Sequence, residues 1–84
     1  YPNPFNPSTQ IAFDVPRQSD VTLDVFNIMG QKIVTLIDKP MAPGSYRTTW
    51  NGADASGQKV TSGMYFYRLR AGEFVSTKKM VLLK

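Results

Sequence analysis

Apolar residues recur at every second position along most of this chain, and that period decides what it can fold into. Ile11, Phe13 and Val15 alternate with Gln10, Ala12 and Asp14, and Val21, Leu23 and Val25 alternate with Thr22 and Asp24. Tyr46, Thr48 and Trp50 share one face of a further run, as do Tyr65, Tyr67 and Leu69. A period of two sends successive side chains to opposite sides of an extended backbone, so each run reads as a half-buried strand. No segment repeats with the helical period.

Turn residues punctuate these runs. Pro16-Arg17-Gln18-Ser19 connects the first two, and Asn27-Ile28-Met29-Gly30 turns with Gly30 available for a positive φ. Pro40-Met41-Ala42-Pro43-Gly44 breaks the pattern, Asn51 to Gly57 is a polar loop, and Thr61-Ser62-Gly63 turns again. Ala71-Gly72-Glu73 closes a hairpin into a final strand from Phe74 to Leu83. Lys32 to Asp38 is nearly continuous in apolar residues, so it is either a strand buried on both faces or a bulged one. With a short strand at Gln58 to Val60, the expectation is about seven strands. That number, with no helix, predicts an all-β, antiparallel β-sandwich of immunoglobulin or fibronectin type, a small open barrel being the alternative.

The 84 residues allow one domain. Its core must rest on Trp50, the tyrosines and the aliphatics, because no Cys is present to bridge two sheets. Ahead of it, Tyr1-Pro2-Asn3-Pro4-Phe5-Asn6-Pro7 holds three prolines in seven residues. Proline locks φ, lacks an N–H and drives its predecessor toward extended geometry. Residues 1–8 are therefore expected to be a stiff lead-in continuing an upstream linker, with the domain over 9–84.

Composition leaves little for catalysis. His and Cys are both absent, which removes the commonest general base, thiolate nucleophiles and the usual zinc ligands. The five Asp are scattered over separate segments, and no Gly-rich phosphate loop is present. An enzyme is not expected, nor a cofactor. Asn51-Gly52-Ala53-Asp54-Ala55-Ser56-Gly57 has Ala where a calcium loop places ligands. Asn51 and Asp54 should instead hydrogen-bond their own backbone while the glycines take positive φ. No apolar run approaches the roughly 18 residues of a membrane span.

The net charge of +4 is unevenly placed. Residues 1–63 balance, whereas Arg68, Arg70, Lys78, Lys79 and Lys84 face Glu73 alone in the last quarter. Ten aromatic residues raise the question of stacking on sugar or bases, but Trp50, Tyr46, Tyr65 and Tyr67 share faces with apolar or small residues, as core residues do. Phe66, Arg68 and Arg70 form the best exposed binding stripe. No RNA-recognition signature accompanies it, so no nucleic acid is expected. Lys78-Lys79-Met80-Val81-Leu82-Leu83-Lys84 is a dense final strand, expected either to complete a sheet or to offer its edge to a partner.

Four motifs in order resemble the type A C-terminal sorting domain of type IX secretion. They are Pro2-Asn3-Pro4; Val25-Phe26-Asn27-Ile28-Met29-Gly30-Gln31-Lys32-Ile33; Ser62-Gly63-Met64-Tyr65-Phe66-Tyr67-Arg68-Leu69; and Lys79-Met80-Val81-Leu82-Leu83-Lys84. Trp50-Asn51-Gly52 through Tyr67 also resembles the immunoglobulin-like domain of flagellar hook-capping proteins. Asn27 and Asn51 stand where the sorting family often has Asp, which lowers the expectation of metal at those turns. The resemblance implies a non-catalytic signal that directs an upstream passenger, an enzyme or adhesin, through the periplasm and outer membrane to the cell surface or extracellular space. It implies outer-membrane secretion machinery and a surface sortase as partners, with the sortase removing the domain. Pro2, Asn3, Pro4, Gly30, Lys79, Met80, Val81, Leu82, Leu83 and Lys84 would carry recognition. A retained structural adaptor is the alternative reading, and a carbohydrate-binding module using Trp50 or Phe66 a weaker one.

Overall fold

The computed structural model describes residues 8–83. Every regular element in it is a strand: β1 (Thr9–Val15), β2 (Ser19–Asn27), β3 (Lys32–Met41), β4 (Gly44–Trp50), β5 (Gly63–Ala71) and β6 (Phe74–Leu82). β1 and β4 form a two-stranded antiparallel sheet, and the other four form a second antiparallel sheet in the order β3-β2-β5-β6. The two sheets sandwich one core. This is the all-β, immunoglobulin-like arrangement that the alternation predicts.

The inward positions are the ones the period selects. Ile11, Phe13 and Val15 of β1 face Val21, Leu23 and Val25 of β2 and Tyr65, Leu69 and Ala71 of β5, with Trp50 and Leu82 at one end. Burying such a side chain contributes roughly 1.5–3 kcal/mol, so this cluster supplies most of the drive to fold. The Trp50 and Tyr65 rings meet edge to face at 5.0 Å, and Phe13 stacks on Tyr46 at 5.6 Å.

Along β3 one open choice is resolved and one expectation is corrected. Its near-continuous apolar run is a bulged strand: Leu36 and Ile33 are the extra residues where the β2–β3 register shifts. Pro40 does not end it, because β3 is an edge strand among the described residues, and an edge tolerates a missing N–H that a central strand does not. A second correction lowers the strand number to six among the described residues. Gln58–Val60 makes a single bridge, Ala53 to Lys59, and no strand. Beyond that bridge the segment is closed by single backbone bonds, from the Asp54 N–H to Gln58 O and from the Val60 N–H to Gly52 O at 2.8 Å each, rather than by a ladder.

That 51–60 segment is a tightly closed loop that caps the sandwich. Asn51 Oδ1 accepts from the Ala53 N–H at 3.1 Å, and Asp54 Oδ1 accepts from the Ser56 and Gln58 N–H groups at 3.0 Å and the Ser56 hydroxyl at 2.7 Å. The side chains thus serve their own backbone, as the sequence suggests. The Ala55 N–H reaches Ile33 O at 3.0 Å and ties the loop to β3.

The Ser56 hydroxyl above all, then the Gln58 N–H, hold the Asp54 carboxyl below its ordinary value of 3.8. A pKa lowered on folding means the group helps the fold above that ordinary value. The help is lost as pH falls through the folded value. Asp54→Asn should therefore flatten the acid side of a stability-against-pH curve, checked by urea midpoints from neutral to strongly acid pH. An unchanged acid limb would show that the loop contributes nothing to acid sensitivity.

Candidate functional site

β6 is an edge strand. It pairs with β5 from Gly63↔Leu82 to Ala71↔Phe74, and no strand pairs with its other side among the described residues. Along it the side chains alternate. Leu82 is buried and Met80 packs against the core, while Lys78 and Lys79 stand exposed on opposite faces of the strand. Val81 and Leu83 are exposed. The expected recognition residues therefore divide into two kinds. Met80 and Leu82 hold the sheet together, whereas Lys79, Val81 and Leu83 are accessible to a partner. Pro2, Asn3, Pro4 and Lys84 lie outside the described residues.

Gly30 occupies the turn between β2 and β3 with φ of 81°, a conformation that strains any residue with a Cβ. Asn27 organises that turn. Its Oδ1 accepts from the Met29 and Gln31 N–H groups at 2.9 and 3.0 Å, and its Nδ2 donates to Gln31 Oε1 at 2.8 Å. An Asp could supply the two acceptances but not the donation, which is a physical reason for Asn here. The turn holds Ile28 and Met29 out in solvent, 70% and 79% exposed.

Phe66, Arg68 and Arg70 do share the outer face of the four-stranded sheet, but they are not equally open. Arg70 is exposed, while Phe66 and Arg68 are half-buried by neighbours on β2 and β6. The register sets Phe66 between Phe26 and Lys79, Arg68 between Asp24 and Thr77, and Arg70 between Thr22 and Val75. The Arg68 guanidinium lies over the Phe26 ring, 4.5 Å from its centroid. Asp24 is buried and accepts the Thr35 hydroxyl. Between these residues sits a depression of about 250 Å³ lined by Phe26, Ile28, Phe66, Arg68 and Thr77.

Phe26 is the member of this group that sequence reasoning leaves out. Its signal is present: it takes an outward position of β2, following Thr22 and Asp24, where a polar residue belongs. Trp50 is 1% exposed and its Nε1 donates to Ala53 O at 2.9 Å, so it is not available to stack on a sugar. A second opening of about 650 Å³ lies on the flank between β1 and β6, over Tyr67, Phe74, Ser76 and Lys78. It exists because two strands cannot cover four.

Comparison with known proteins agrees with this geometry. The family model described as the secretion system C-terminal sorting domain matches residues 1–83. FlgD from P. aeruginosa superposes with a TM-score of 0.70 at 22% identity, covering 89% of this chain and 59% of that one. FlgD from Xanthomonas campestris, a hook-capping protein of flagellar assembly, gives 0.70 at 18% identity, with 92% and 56% covered. At those identities the likeness is one of fold, and this chain spans little over half of either. No curated protein sequence matches.

Proposed function

This chain belongs to the family of secretion system C-terminal sorting domains, and on that premise we propose that it acts without catalysis as the export signal of a passenger fused ahead of it. Family membership itself implies export to the cell surface or extracellular space. In this reading outer-membrane secretion machinery recognises the folded domain, and a surface sortase afterwards cuts it away in the segment preceding Tyr1. The Pro-rich lead-in of residues 1–8 keeps passenger and signal apart.

The observation that carries the reading is the match over residues 1–83 together with the edge strand β6, whose outer side pairs with no strand among the described residues and which bears Lys78 and Lys79. An open edge offers a row of backbone donors and acceptors to an incoming strand, and exposed lysines deter indiscriminate pairing. Lys79 to Lys84 then form the principal recognition segment, with the Gly30 turn and Pro2-Asn3-Pro4 as secondary elements.

A reporter fused ahead of this chain, in a host with type IX secretion, should appear in the medium or on the surface. Reporter held in the periplasm would sink the proposal. Intact mass of the exported reporter separates removal from retention. A C-terminus just before Tyr1 supports the sortase step. A reporter still carrying all 84 residues favours the retained adaptor, a reading supported by the hook-capping fold likeness.

A further inference from the structure

The outer face of the β3-β2-β5-β6 sheet departs from what an uncovered sheet should carry. Antiparallel sheets with one wet face alternate apolar-in with polar-out. Here Phe26 and Phe66 stand directly opposite one another on the wet side, with Met64 and Val81 paired beyond them and the exposed Ile28 at the adjoining turn. Exposed apolar groups that adjoin one another mark contact sites more often than isolated ones do.

Charge on this face is segregated. Arg68, Arg70 and Lys79 lie along β5 and β6, and Lys32 sits opposite Phe26 in the register. The carboxylate nearest them, Asp24, is 8% exposed and committed to the Thr35 hydroxyl. Asp20 and Asp38 lie toward the far end of the sheet from the Ile28 turn, paired in register with Pro40 and Thr22. Apart from the buried Asp24, which adjoins Phe26 and pairs in register with Arg68, the charged groups bordering the apolar end are the cations Lys32, Arg68 and Lys79. Arg68 is also preorganised. Its guanidinium rests on Phe26, and its Nε is buried with no hydrogen-bond partner among the described residues. A side chain already held in place loses little entropy on meeting a carboxylate.

We infer that this face is a docking surface for an extended, acidic segment of a partner protein that carries one large apolar anchor. The anchor enters the depression formed by Phe26, Ile28, Phe66 and Thr77, and a partner carboxylate pairs with Arg68 while others meet Lys79 and Arg70. Charge complementarity selects this occupant. A second copy of the chain would bring the same cations together, and a basic or neutral segment would leave them unmatched. The inference does not depend on the secretion reading, since it concerns direct binding by this chain.

Random peptides displayed on phage and selected on the immobilised chain test it. The enriched peptides should share acidic residues around one Leu, Ile, Phe or Trp. Their affinity should fall roughly tenfold or more in Arg68→Ala, the size expected of an interfacial Arg anchor. It should fall also in Lys79→Glu, where the exposed residue leaves the core untouched, and should weaken as salt rises. Near-ultraviolet circular dichroism of Trp50 confirms that each variant is folded. Enriched peptides without acidic residues, or no enrichment beyond that on Arg68→Ala, overturn the proposal. So does binding to phosphatidylglycerol vesicles that the same two variants abolish, which would make this a lipid surface. Sedimentation showing self-association lost in Phe66→Ser would assign the face to a dimer instead.

Discussion

Trp50→Ala is expected to remove a large part of the chain's stability, about 3–5 kcal/mol. The indole is the largest fully buried side chain, it packs edge to face on Tyr65, and its Nε1 holds the carbonyl of Ala53. Truncating a buried Trp costs about 3–5 kcal/mol through lost transfer energy and the cavity left behind. A chain of 84 residues has a total stability of roughly 4–13 kcal/mol. Each kcal/mol lowers Tm by about 4–8 °C at this size, so a fall of at least ~12 °C should appear in a calorimetric scan. Trp50→Phe separates the two contributions. It keeps a ring against Tyr65 but leaves the Ala53 carbonyl unpaired, and should cost about 1–3 kcal/mol. A Trp50→Ala chain within a few degrees of the parent would show that the end of the sandwich can collapse around the loss, and that the 51–60 loop is not anchored by the indole.

The second large effect concerns β6 and what its removal means. Deleting Lys79 to Lys84 should abolish export of a fused reporter, yet that loss would not report on recognition. The deletion removes the ladder partners of Gly63, Met64, Tyr65 and Phe66 and the buried Leu82. Losing a buried Leu side chain alone costs about 2–5 kcal/mol. The shortened chain is therefore expected to be unfolded as well as unrecognised. Lys78→Glu with Lys79→Glu is the sharper experiment. Both residues are exposed, and surface changes of this kind usually shift stability by within about 0.5 kcal/mol each. Reporter export should fall sharply while the thermal transition stays in place. Full export from the folded double variant would remove the basic edge strand from the recognition mechanism. Leu82→Ala is the converse control, losing stability with the charged edge intact.

Most of the architecture follows from side-chain alternation alone. The inward residues of β1, β2 and β5 are those the period of two picks out, and Asn51 and Asp54 behave as their short polar side chains dictate. What alternation misses are features that depend on a neighbour. The course of β3 through Pro40 is possible only because that strand lies at a sheet edge, and edge position is a property of the assembled sheet. The two bulges at Leu36 and Ile33 were one of two options until β2 supplied a register. The outer face shows the same limit: Phe66, Arg68 and Arg70 are visible as a stripe, but Phe26 joins them only when β2 is laid beside β5. Met80 and Leu82 look like signal residues in a terminal motif, and burial reassigns them to holding the sheet.

The pairing order has a consequence for how the chain acquires its structure. Among the described residues only β2–β3 and β5–β6 are hairpins; β1 pairs with β4 and β2 with β5, across long stretches of intervening chain. Closing such distant contacts is slow, because loop entropy is lost before packing compensates it. As residues emerge in order from the ribosome, β1 has no partner until β4 follows, and β2 has only β3 until β5 arrives. Tyr65, Leu69, Ala71 and Leu82 all reach the core with the β5–β6 hairpin. Folding is therefore deferred until the β5–β6 hairpin has emerged, and any event that detains this hairpin keeps the whole domain open.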